Sequence, residues 1–317
     1  MPAAYFARLL ERISPAQALR TAPERHLEFF GRYPHLQPFL EPQASAEAAE
    51  RLFEFHDFPG FLASYLLSSY FVRTPEDFRG LVQAVADELA AQGLRYAEVI
   101  VSIPEYRMHG IALEPICEAL SEASNRSDIR LRWIVDLVRN FGHEAGLGLL
   151  KELLTRPPDG WVGITIGGSE ADFPPAPFAE CFALARANGL KLSAHAGEAA
   201  GPGSVWDAVR VLRVDRIGHG VRAVEDPRLL DYLAENQIPL EICPTSNIKT
   251  GVFQSLAEHS LPRLVEAGIP VTLNTDDPTF FQTTLAGEYD AARSMGLSDE
   301  ALEQALANVR RFAFDWD

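Results

Sequence analysis

Residues 193–199 read SAHAGEA and directly follow the strand-like run Gly189, Leu190, Lys191, Leu192. His195 and Glu198 are three apart with only Ala196 and Gly197 between them, so in extended or turning backbone an imidazole and a carboxylate converge on one small volume. Gly197 permits the turn that aims Glu198 back toward His195, because glycine takes conformations closed to other residues. A His beside a Glu is as readily a satisfied polar pair as a metal site. The stretch looks like the end of a barrel strand, and its surroundings have to decide between the two.

Outward from it the chain alternates regularly. From Leu94 onward, apolar β-branched runs occupy residues 95–103, 129–138, 161–166, 190–195, 214–217, 238–242 and 270–273. Helical stretches at 113–123, 144–154, 177–187, 205–212, 227–235 and 256–267 separate them. So many successive βα units predict a parallel sheet, and a closed barrel rather than an open one. The count is seven, one short of eight. The first 90 residues read instead as helices broken by proline. Tyr5, Leu9, Leu10 and Ile13 recur at helical spacing, and Arg32, Tyr33, Pro34 and His35 form an irregular link. A loop around Pro42 is followed by a helical stretch with Leu52, Phe53, Phe55 and His56, then by Phe58-Pro59-Gly60-Phe61-Leu62 and a helix over 75–91. The chain is read as one domain, 1–317, with a helical part to residue 92 and βα units from 93.

Composition narrows the function. Lysines and arginines number 28 against 44 acidic residues, a formal net charge of −16, which repels a nucleic-acid backbone or an anionic membrane and favours a small or neutral substrate. Cys117, Cys181 and Cys243 are an odd number at no metal-ligand spacing, consistent with reduced thiols in an intracellular compartment. No run of 18 apolar residues occurs, and MPAAYFARLLERI is an amphipathic helix pattern rather than a signal peptide. A soluble, cytoplasmic protein is expected.

In a βα barrel the active site is built at the C-terminal ends of strands. The polar residues directly after the apolar runs are His195 and Glu198, then Gly218-His219-Gly220, then Cys243-Pro244-Thr245-Ser246-Asn247, then Asn274-Thr275-Asp276-Asp277-Pro278. Any one of these is an ordinary loop or helix cap; four at the ends of four consecutive strands are not. They suggest metal-assisted hydrolysis. Zn²⁺ takes imidazole and carboxylate ligands and lowers the pKa of a bound water. His195 and Asp276 are ligand types, His219 can take a proton from the water, Glu198 can donate one to the substrate, and Asp277 can orient the attacking oxygen. Separate acid and base groups are what addition of water to an aromatic C–N bond requires.

Together with Arg216-Ile217 and Glu241-Ile242, which lead into them, these motifs resemble the strand-end motifs of the adenosine deaminase family in the amidohydrolase superfamily, in the same order and spacing, over residues 58–314. The resemblance implies an α/β fold, a TIM-like (β/α) barrel of the metal-dependent hydrolase type, with one zinc ion. It implies removal of an exocyclic amine from a purine nucleoside, adenosine first, with His195 and Asp276 as ligands, Glu198 protonating the ring and His219 as base. Phe58, Phe61 and Leu62 resemble the family's lid over the nucleoside, Tyr96-Ala97-Glu98 its second strand, and Gly168 can bring its N–H close to the purine. Two departures follow. The family's first strand, carrying two alternate histidines, has no counterpart, since His26 and His35 are nine apart; the expectation is a missing first strand, with low metal affinity. Gly167-Gly168-Ser169-Glu170 is similar to bacterial relatives that deaminate aminofutalosine, so that substrate or another 6-aminopurine stands as an alternative to adenosine; the missing histidine pair leaves a third reading, a catalytically impaired pseudoenzyme that binds purine or a partner without turnover.

Overall fold

Each apolar run beyond residue 94 forms a strand in the computed structural model, which describes residues 1–41, 46–126 and 128–316. The strands are β1 (Tyr96–Val101), β2 (Arg130–Asp136), β3 (Trp161–Thr165), β4 (Lys191–Ala196), β5 (Arg216–His219), β6 (Leu240–Ile242) and β7 (Val271–Leu273). They lie in sequence order and every neighbouring pair is parallel, so the sheet curls into a TIM-type barrel of seven strands. Among the described residues β1 and β7 do not pair with each other, and the barrel is open between them rather than closed. The loop around Pro42 lies outside the described residues.

The helices obey local signals. Pro75–Ala91 starts at a capping box in which Thr74 and Asp77 satisfy each other's backbone N–H groups, with Pro75 at the first helical position. Pro227–Glu235 starts on the Asp226 side chain in the same way. Three predicted stretches differ in detail. The 205–212 helix is an α-helix over Pro202–Asp207 running into a π turn over Ala208–Leu212. The 256–267 helix is a 3₁₀ turn, Leu256–Glu258, followed by Leu261–Glu266, because Pro262 has no N–H to give and fits only the first turn of a helix. Phe55 and His56 fall after the 3₁₀ helix Ala46–Phe53, in the link to the next helix. Two terminal helices absent from the sequence reading, Leu285–Ser294 and Asp299–Phe312, start on Thr284 and Ser298 caps. No helix among the described residues is long and apolar enough to cross a membrane, and all three cysteines are buried.

Low in the barrel, charge replaces apolar packing. The Arg216 side chain, 7% exposed, lies 2.5 Å from Glu98 of β1 and 3.1 Å from Glu241 of β6. Ser193 of β4 donates to the second Glu241 oxygen at 2.9 Å. The guanidinium also stacks on Phe314 at 3.5 Å and donates to the Phe312 carbonyl, while the Phe314 N–H donates to Glu98. One cation thus ties β1, β5, β6 and the last turn of chain together across the opening. A cavity of about 830 Å³ rises from this cluster to the strand ends and reaches the space between β1 and β7, where Leu81, Val82 and Val85 of one helix and Val309 of another line it.

Breaking this cluster leaves buried carboxylates uncompensated, at a cost of about 3–5 kcal/mol for a buried pair. Arg216→Leu is expected to lower unfolding free energy in urea by that order. A loss under about 1 kcal/mol, the scale of an exposed pair, would show that the cluster does not hold the barrel floor.

Candidate active site

The chemistry-bearing side chains meet because their strands end at one height. In the β4–β5 register His195 stands beside Gly218 and Ala196 beside His219. A Cβ on Gly218 would sit 3.4 Å from His195 Cα, so the glycine keeps the two strands close at this point. Gly197 has φ +72, the turn expected of it, and its position also excludes a side chain, since a Cβ would lie 2.4 Å from Val205. His219 and Asp276 adopt φ of 63 and 55, the left-handed region, where a non-glycine residue costs of order 1–3 kcal/mol. His219 ends β5 in this conformation and Asp276 adopts it three residues past β7, and both line the cavity.

His195, His219 and Asp276 come together: one potential ligand atom from each lies within 4.8 Å of the others, and no other such group of His, Cys, Asp or Glu exists among the described residues. The His195 and His219 ring centroids are 5.3 Å apart. Burial, and then the neighbouring His219, lower the His195 pKa, which leaves a neutral ring able to ligate. Its Nδ1 is buried without a hydrogen-bond partner. Asp276 accepts from Ser246 Oγ at 2.7 Å and faces His219 Nε2 at 3.8 Å. Two imidazoles and a carboxylate with ligand atoms within 4.8 Å of one another suit a first-row divalent ion, whose bonds run about 2.0–2.2 Å to such atoms. His26 and His35 lie elsewhere, bonded to Tyr70 and Ser64.

Glu198 is 5% exposed and its Oε2 lies 3.4 Å from His219 Nε2. Burial first, then the charges of Asp276 and Glu170, push its carboxyl well above the usual range, a shift toward the protonated acid. Its loop is held by Glu170, which does not face the cavity alone as a substrate group would. Glu170 Oε1 accepts the Gly197 N–H at 2.5 Å, and Oε2 accepts those of Glu198, Ala199 and Ala200 at 3.1, 2.8 and 2.9 Å. Buried Arg139 fixes the strand on the other side by donating to the carbonyls of His195, Ile166, Gly167 and Phe173. Buried Asp136 accepts from the N–H groups of Val138 and Gly167. Burial pushes the Asp277 carboxyl up to about 7, with Asp276 adding to the shift.

Gly168, Phe58, Phe61 and Leu62 all line the cavity. The helix Phe58–Ser69 covers it and is seated by aromatic contacts, Phe61 lying 4.9 Å from Phe281 and 5.8 Å from Phe280, just past the Asp276-Asp277 turn. The sequence reading did not assign Glu170 its backbone role, nor Arg139, Asp136 or Phe281 any. For Glu170 a signal existed, a lone acidic residue after two glycines; each of the others has a partner a whole βα unit or more away.

The family profile described as adenosine deaminase matches residues 22–315. Aminodeoxyfutalosine deaminase of Streptomyces avermitilis is 40% identical over 298 residues, 90% of this chain and 81% of that protein. Adenine deaminase of Rhizobium leguminosarum bv. trifolii is 37% identical over 306 residues, 91% and 95% of the two chains. Among solved structures, an amidohydrolase of Burkholderia ambifaria with bound zinc shares the fold at a TM-score of 0.77 and 24% identity, covering 99% of this chain and 82% of that one. The chain belongs to the adenosine deaminase family and is a hydrolase of that type.

If Glu170 is a structural anchor, Glu170→Gln should destabilise the protein by about 2–3 kcal/mol, since hydrogen bonds to charged groups are worth about 1.5–3 kcal/mol each and the amide cannot serve all four N–H groups. Unfolding in urea measures it. A variant of unchanged stability that binds substrate poorly would make Glu170 a recognition residue instead.

Proposed function

We propose that this protein uses a divalent metal, zinc, to hydrolyse the exocyclic amine from the adenine ring of aminodeoxyfutalosine. The observation that carries the chemistry is Glu198, a buried carboxyl shifted toward its protonated form, set beside His219 and across from His195 and Asp276. The 40% identity to an aminodeoxyfutalosine deaminase favours that substrate over adenosine. The 37% identity to an adenine deaminase supports free adenine as the second reading. The reacting edge is the same in each.

His195 and Asp276 would hold the metal, which when bound polarises water and lowers its pKa toward neutrality. Glu198 gives its proton to the ring nitrogen beside the amine-bearing carbon, which makes that carbon electrophilic. Water's oxygen bonds to the carbon, one of its protons passes to the amine as the C–N bond breaks and ammonia leaves, and the other returns to the Glu198 carboxylate, leaving a ring carbonyl beside a ring N–H. His219, its pKa pushed down to about 4 by burial, is a neutral ring beside the attacking oxygen. Asp277 orients that oxygen, Gly168 approaches the purine, and Phe58, Phe61 and Leu62 exclude water from above. One more parallel strand in the opening between β1 and β7, of the two-histidine kind the family motif describes, would supply the ligands that His195 and Asp276 lack; without it, affinity for metal is expected to be low.

Ammonia release from aminodeoxyfutalosine, adenine and adenosine, followed in parallel with zinc supplied, tests the reading. Turnover is expected on the first, and Glu198→Gln is expected to lower kcat by ~10² to 10⁴ while substrate still binds. Turnover of adenine alone would move the assignment to the second reading, and a Glu198→Gln protein with unimpaired kcat would remove Glu198 as the acid.

A further inference from the structure

Behind His219 runs a chain of buried side chains to which the chemistry above assigns no part. His259, 4% exposed, receives the Leu261 backbone N–H on its Nδ1 at 3.0 Å. A backbone N–H can only donate, so Nδ1 carries the lone pair and the neutral ring's proton sits on Nε2. That nitrogen lies 3.2 Å from Oδ1 of Asn247, which is fully buried. With Oδ1 accepting from His259, the amide's N–H groups point the other way, to His219 Nδ1 at 3.1 Å and to Glu198 Oε1 at 3.4 Å. Turning the amide over would set two donors face to face at His259. The direction of one backbone N–H is therefore passed through two side chains to the ring in the site. Phe253, whose ring lies 4.6 Å from that of His259, packs against the first link.

We propose that Asn247 and His259 are positioning residues that hold His219 with its lone pair on Nδ1 and its proton on Nε2. Nε2 faces Glu198 and Asp276, so His219 enters the site as a hydrogen-bond donor. It meets the attacking oxygen by donating to it, not as the base that the strand-end motif suggested, and a protonated Nε2 does not ligate a metal. His195 and Asp276 then remain the metal pair out of the three converging residues. The assignment of the proton rests on the hydrogen bonds alone; its kinetic consequence rests on the deaminase reading.

Long-range ¹H–¹⁵N spectra of the full chain, with His219 and His259 assigned through His219→Gln and His259→Gln, read the tautomers without any substrate. Both rings should show a protonated Nε2 and a bare Nδ1; a wild-type His219 protonated on Nδ1 overturns the proposal. Asn247→Asp replaces the donor by an acceptor of the same shape and should move the His219 proton to Nδ1. On the preferred substrate it should lower kcat by about 10- to 100-fold, the usual scale for an outer partner of a site residue, with KM nearly unchanged. His259→Gln, whose amide can still donate to Asn247, should retain more turnover than His259→Ala. An unmoved tautomer in Asn247→Asp, or a moved one with unchanged kcat, overturns the positioning role. If no substrate is turned over, the deaminase reading fails while the spectra still decide the tautomer.

Discussion

An open barrel has to stay curled without the ladder that would join its first and last strands, and here the buried Arg216 cluster takes that part. The guanidinium bridges Glu98 and Glu241 from opposite sides of the opening and carries the returning C-terminal turn on its upper face. Desolvating three charges is costly, and the arrangement holds only because several partners share them. Its consequence is geometric. β5 begins with Arg216 and ends with His219 three residues later, so the residue that anchors the floor also sets the height of the imidazole in the site.

Above that floor, each site residue is aimed by a conformation its neighbours impose. His219 and Asp276 sit at left-handed φ, and the strain is offset by contacts such as Ser246 on Asp276 and Asn247 on His219. Glu170 gathers four consecutive N–H groups of the loop that carries Glu198, which turns a flexible glycine-containing segment into a fixed support. Burial then does the electrostatic work: it shifts Glu198 toward its protonated form and lowers the His219 pKa to about 4. The lid depends on the same turn, since Phe280 and Phe281, directly after Asp276-Asp277, seat Phe61.

Much of this was legible in the sequence because the signals are local. Seven apolar runs with helical spacers specify a parallel βα fold, and the motifs at 195–198, 218–220, 243–247 and 274–278 mark strand ends by position alone. Strand limits shifted by a residue or two where a glycine such as Gly218 continued a strand that composition alone would end. The terminal helices were missed because their apolar positions are sparse. What could not be read was long-range: that Glu170 serves backbone rather than substrate, that Arg139 reaches across from the turn after β2 to the His195 carbonyl, and that Arg216 pairs with carboxylates of β1 and β6. Nothing in the spacing of these residues announces their partners. Aminodeoxyfutalosine is proposed over adenosine on overall similarity to a relative, since the purine edge each presents is the same.

His195 and Asp276 are expected to face one metal ion at the strand ends. Crystals of the full chain grown with zinc and measured on both sides of the zinc absorption edge test it directly. With zinc in excess, the expected result is one anomalous peak about 2.0–2.2 Å from a His195 ring nitrogen and an Asp276 carboxylate oxygen; a peak in the cavity bonded to neither residue would contradict it.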